Sequence, residues 1–192
     1  MLWTRSIRSI PEEEQQQQQE SYDRMMKSLP QMTQEKAEVI LDIVKKCTVR
    51  KLNTKDLSGK WNLLVFSKEV PEDTEVNLNL KGEENKIKGK LFVNGQMTST
   101  VNLMQLIPDK PGVLVNIFNE GQEDSRMVPV MVISYEERKW VTLWQGGDGN
   151  PETMDWAIYV RPGVENLSDE EYEKATSGLS CLGLMKYPDE FS

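Results

Sequence analysis

Hydrophobic and polar positions take turns along the middle of the chain, in short blocks divided by turn-forming residues. Between positions 74 and 81, Val76, Leu78 and Leu80 alternate with Glu75, Asn77 and Asn79, the period of two expected of a strand with one buried face. Similar blocks at 61–67, 87–93, 97–106, 113–118, 127–135, 140–145 and 154–161 predict seven further strands. Asn94-Gly95 is a two-residue hairpin signal, and the other links are short enough to join antiparallel neighbours. No apolar period of helical length interrupts the run. An open sheet of so many strands would leave two unpaired edges, and closure into a barrel removes them. The expected fold is therefore mainly β, an eight-stranded up-and-down antiparallel barrel. Pro129 cannot donate to a ladder and predicts a bulge or a locally free edge in the sixth strand.

Helices flank the strands. Ala37, Ile40, Leu41 and Val44 fall at helical spacing behind Thr33, a capping residue. They predict an amphipathic N-terminal helix over 33–46 that packs on the domain, with a partner-docking role as the alternative. Ser168-Asp169-Glu170-Glu171 has the form of a capping box, and Tyr172, Ala175 and Leu179 then share one face. A C-terminal helix packed on the barrel wall follows. Residues 1–32, with Gln15 to Gln19 and three consecutive glutamates, read as a disordered polar segment. The organisation is thus 1–32 polar, 33–57 helix and lead-in, and 58–192 barrel with C-terminal helix and tail.

Composition narrows the chemistry. The 192 residues carry a formal net charge of −8, which repels nucleic acid as a bulk partner while leaving local basic patches open. Histidine is absent, so Ser-His-Asp and Cys-His machinery and the usual zinc ligands are absent too. No metal or cofactor is expected. No apolar run approaches the roughly 20 residues of a membrane helix. Cys47 and Cys181 lie on either side of the strands and read equally as two reduced thiols or as one disulfide.

Gly59-Lys60-Trp61 opens the first strand, and Trp156-Ala157-Ile158-Tyr159-Val160-Arg161 forms the last. A helix opened by Leu167-Ser168-Asp169-Glu170-Glu171-Tyr172 and ended by Leu182-Gly183-Leu184 follows. This layout resembles the lipocalin or calycin family, as an outlying member nearest in plan to the apolipoprotein D and bacterial lipocalin branch. The resemblance covers about 47–185. It implies that Trp61 closes the floor of the barrel, with Gly59 at the turn and Arg161 packed across the indole. It also favours a Cys47–Cys181 disulfide, and with it a secreted or organelle-lumen location over the cytoplasm.

A barrel of eight strands is just wide enough to be filled by side chains or to hold one small ligand. The resemblance implies the second: binding and transport of a lipid, fatty acid, retinoid or pigment. The strand pattern nominates wall residues Leu63 and Val65; Val76, Leu78 and Leu80; Leu91 and Val93; Val101 and Leu103; Val115 and Ile117; Val130 and Val132; and Trp144 and Ile158, with Thr142 beside them. Phe66 and Trp140 replace neighbours if the register is one off. Two other functions remain open. One is an enzyme on the same barrel, for which Asp155, Tyr159 and Tyr135 are the candidate ionisable groups; the other is a filled barrel that docks a protein partner through 33–46.

Overall fold

The computed structural model describes residues 47–107, 110–118, 121–123, 126–145 and 155–181. The polar segment 1–32, the helix predicted at 33–46 and the glycine-rich stretch 146–150 lie outside them. The described residues form eight strands: β1 (Gly59–Phe66), β2 (Val76–Glu83), β3 (Lys86–Val93), β4 (Gln96–Ile107), β5 (Lys110–Phe118), β6 (Arg126–Glu136), β7 (Trp140–Gln145) and β8 (Asp155–Val160). Each pairs antiparallel with the next, and β8 returns to β1, so the sheet is a closed barrel in simple sequence order. The mainly β up-and-down barrel expected from the sequence is what the chain adopts.

Turn chemistry sets the links. Asn94 and Gly95 both take positive φ, 49° and 78°, as the tight turn between right-twisted strands requires. The ladder slips at four places among the described strands, and the sequence alone is silent on the two in β1 and β6 that bear on the site. In β1 the pairing with β8 slips between Leu63 and Val65, so Leu64 is an extra residue and the facing of the strand changes there. In β6 the slip lies between Val132 and Ser134, not at Pro129. Pro129 pairs with Val115 of β5, while the β7 ladder begins only at Val130. The position that would continue the β7 ladder opposite Pro129 is residue 146, outside the described residues.

Helix α1 (Asp169–Cys181) starts as the capping box predicts. The Glu171 amide donates to Ser168 Oγ at 3.2 Å, and the Ser168 amide donates to Glu171 Oε2 at 2.9 Å. Lys139 in the β6–β7 turn also bonds Glu171. The helix then lies on the outer wall of the barrel. Leu167, Ala175 and Leu179 are buried against Met131, Ile133, Trp140, Trp144, Trp156 and Ile158. Thr142 Oγ1 donates to the Ala175 carbonyl at 2.6 Å. A Cβ on Gly178 would stand 2.5 Å from Ile133 Cγ2 and 2.6 Å from the Cys47 carbonyl, so only glycine permits this approach.

A second cluster fills the lower half of the interior: Leu57, Trp61, Leu80, Ile87, Leu103, Leu114, Val132 and Val141. Strands β7 and β8 are consequently buried on both faces, one by the interior and one by α1.

Candidate ligand-binding site

The floor of the barrel is built from the lead-in. A 3-10 turn over Thr54–Leu57 is capped by Asn53, whose side chain accepts from the Lys55 amide. The turn carries Leu57 under the strands, and Thr54 Oγ1 ties it to the Glu83 carbonyl. Gly59, at φ 112°, then swings the chain upward. Trp61 enters the interior fully buried, its indole N–H donating to the Leu57 carbonyl at 2.9 Å.

Arg161 seals this end. Its guanidinium carbon stands 3.7 Å from the Trp61 ring centroid, and its nitrogens donate to the carbonyls of Glu137 at 3.0 Å, Ser58 at 2.9 Å and Asp56 at 2.8 Å. A Cβ on Gly59 would sit 2.9 Å from one of those nitrogens. The cation–π contact is worth on the order of 1 kcal/mol or more where water is excluded. Gly59, Trp61 and Arg161 thus meet at one closed end, as expected. Burial lowers the pKa of Arg161 from its ordinary value. Beside it, burial first, then the negative fields of Asp56 and Glu137, raises the Tyr135 phenol well above its ordinary value. Tyr135 lies at this closed end and does not line the cavity described next.

Above the floor the barrel is hollow. A cavity of about 520 Å³ opens towards the ends where β1 stops and β2 begins, a volume suited to a single small molecule. Eight of the nominated residues line it: Leu63, Val76, Leu78, Leu91, Val93, Val101, Leu103 and Val130. Phe66 does so as well, because the extra residue at Leu64 turns it inward.

Seven nominated residues do not line the cavity. Leu80 and Val132 face the interior but are packed into the floor beneath it. Val65, Trp144 and Ile158 face outward into the cluster under α1, as do Trp140 and Thr142. Val115 and Ile117 alternate with Leu114, Asn116 and Phe118, of which Leu114 belongs to the interior cluster and the other two line the cavity, so they fall on the outer face. For Val65, Trp144 and Ile158 the correction has a physical cause in the helix outside them. Where a helix covers the outside of a sheet, both faces are apolar and hydrophobicity no longer distinguishes inside from outside.

Polar groups in the wall carry the chemistry. Asp155, Tyr159, Asn116, Gln145 and Ser99 contribute to the lining, and Glu69 stands in the segment over the mouth. Asn116 is buried and its Oδ1 accepts from the Asn102 amide at 3.1 Å. Asp155 begins β8 and, with Ala157 and Tyr159, faces the cavity. Loss of water around its carboxyl raises its pKa to about 6, against the opposing field of Lys68. Burial, reinforced by the charge of Asp155, raises the Tyr159 phenol above its ordinary value. Ionisable groups therefore lie within the cavity. Asp155 and Tyr159 were legible as candidates; Asn116 and Gln145 were not, since a lone polar residue within or at the end of an apolar strand does not by itself signal a pocket. Among the described residues no group of three or more acidic or cysteine side chains is placed to hold a metal ion.

A closed eight-stranded barrel, sealed below and hollow above, with a helix on its wall, has the form of a lipocalin-like barrel. Among solved structures it is similar to a biogenic amine-binding protein, and to the tryptamine complex of the amine binding protein of Rhodnius prolixus. Each match has a TM-score of 0.51 and 18% identity, covering 72% of this chain and 80% of the other. At that identity the likeness is one of fold. No protein-family model matches the sequence. No curated protein matches it either.

Proposed function

We propose that the chain binds and carries one small, mostly hydrophobic molecule in the open half of its barrel. The observation that carries this reading is the cavity of about 520 Å³ walled by valine, leucine and phenylalanine. Apolar surface left bare there would gain roughly 25 cal/mol for each Å² that a guest removes from water. The resemblance to the apolipoprotein D and bacterial lipocalin branch supports a lipid, retinoid or pigment as guest. Asp155 in the wall disfavours the carboxylate end of a fatty acid, since two anions would share a site poor in water.

A second reading is favoured by that same carboxyl. A protonated amine on an otherwise apolar body would pair with ionised Asp155, and the solved neighbours are amine-binding proteins. Cys47 is buried, and its carbonyl lies against Gly178, three residues before Cys181 in α1. This supports a Cys47–Cys181 disulfide and, through it, a secreted or organelle-lumen location.

Calorimetric titration with retinol, a neutral lipid and tryptamine, backed by native mass spectrometry, tests both readings. One guest per chain is expected. An amine guest should bind more weakly below about pH 6, where Asp155 takes up its proton, and should lose that dependence in Asp155→Asn. The carrier reading fails if no member of the panel binds at a defined stoichiometry. The same protein, unfolded without reductant, should offer no thiol to an alkylating reagent; two reactive thiols would remove the disulfide.

A further inference from the structure

Helix α1 packs on β6 and β7, and no described helix covers the outer faces of β2, β3 and β4. On β3, Ile87 is buried and Leu91 and Val93 line the cavity, so Lys86, Lys88, Lys90 and Phe92 face outward. Lys81 of β2 stands directly opposite Lys88. Lys60 of β1 pairs with Asn79, which in turn pairs with Lys90. All five lysines are exposed. The acidic groups on this face are Glu83, opposite Lys86 and 4.0 Å from Lys81, and, at the mouth end, Glu75, whose carboxylate accepts from Asn77 opposite Phe92. Towards the mouth the row ends in Phe92, directly opposite Met97. Met97 is the large hydrophobic side chain left exposed among the described residues, at 54%.

Folding does not explain this arrangement. Like charges directly opposite on neighbouring strands destabilise a sheet, and the rest of the chain is acidic, with a net charge of −8. A basic wall that ends in an apolar tip suits a partner that is anionic above and apolar beneath.

We propose that the outer wall of β2–β4 docks the barrel on an anionic lipid bilayer. Lys81, Lys88 and Lys90, flanked by Lys60 and Lys86, would meet headgroup phosphates, while Met97 and Phe92 reach the boundary of the acyl chains. The wall is a closed sheet face, not a groove, which suits a planar surface better than a peptide. Lysines act as point charges on phosphate, whereas recognition of planar, paired acceptors favours arginine. The wall also lacks the row of aromatic rings on which unpaired bases stack. The acidic remainder of the chain opposes docking little, because charges beyond about 8 Å are screened at physiological salt. Docked in this way, the barrel mouth lies beside the membrane. The inference does not depend on which guest the cavity holds.

The test is co-sedimentation of the full chain with vesicles of phosphatidylcholine alone and with about a third phosphatidylserine, a lipid of the anionic kind that draws in lysine clusters. Retention is expected on the anionic vesicles only, and is lost near 1 M salt, where screening reaches about 3 Å. Each lysine near such a surface contributes about fivefold in affinity. Lys88→Gln with Lys90→Gln should therefore weaken retention by about 25-fold, with a thermal melt that stays or rises because both side chains are exposed and Lys88 faces Lys81. Met97→Ser should weaken it a few-fold. Equal retention on neutral vesicles, none on anionic ones, or undiminished retention of the double variant would overturn the proposal. So would capture by heparin or an acidic protein in place of vesicles.

Discussion

The two ends of the barrel are made from the same strands and have opposite characters. At the closed end Leu57 and Trp61 are fully packed, and Arg161 spends its nitrogens on three carbonyls and its face on Trp61. At the open end valines and leucines of the same strands line an empty space and share it with Asp155 and Tyr159. The lead-in makes the difference. Leu57 and Trp61 are brought across the floor by the 3-10 turn and Gly59 and fill it, whereas the β1–β2 link at the mouth, with Glu69, Val70 and Pro71, lines the cavity and leaves it hollow. The closed end has already gained the free energy of burial. The open end keeps it in reserve for a guest.

The largest effect that could break this contrast is truncation of the floor. Trp61→Ala should destabilise the chain by about 3–5 kcal/mol, together with the lost ring under Arg161, as measured by denaturant unfolding. A loss below about 1 kcal/mol would mean that the indole does not hold the floor together.

The open end should respond to pH in the manner of a strained site. Asp155 titrates at about 6 in the fold against an ordinary 3.8, so the folded chain retains this proton where the unfolded chain has released it. The stabilisation tied to that proton is present at low pH and falls away as pH rises from about 4 through 6, by roughly 2–3 kcal/mol. Comparing unfolding curves across that window with those of Asp155→Asn isolates the effect, since the amide should remove that component of the slope. A bound amine would reverse the trend by favouring the carboxylate.

The smallest stability effect is expected from filling the space. Leu143→Phe adds volume to a wall that has room for it, and should change the unfolding free energy by less than about 1 kcal/mol. It should nevertheless lower the number of guest molecules bound per chain. A large loss of stability would mean that the upper half is packed like the lower.

Most of the architecture was legible from the residues. Period-two patterning in β2 and β3, the Asn94-Gly95 turn and the Ser168–Glu171 capping box each hold as read, because each depends on neighbours a few positions away. The pairing of Trp61 with Arg161 was legible through the family layout, and the two meet at 3.7 Å. The cavity wall was half legible. In β2, β3 and β4 one face meets water, so the apolar residues Val76, Leu78, Leu91 and Val101 had to point inward. In β7 and β8 the helix hides the outer face, and Trp144 and Ile158 were as apolar as any wall residue while facing away from it.

The sequence by itself determined the number of strands, their antiparallel order, the turn that delivers Trp61 and the start of the C-terminal helix, because local sterics and periodicity specify all of these. Only the tertiary structure decided which face of β7 and β8 looks inward, where β1 slips by a residue to turn Phe66 into the cavity, and that Asp155 stands in a wall poor in water. Those outcomes depend on which surfaces α1 and the lead-in cover, a matter of contacts between segments dozens of residues apart that no local pattern records.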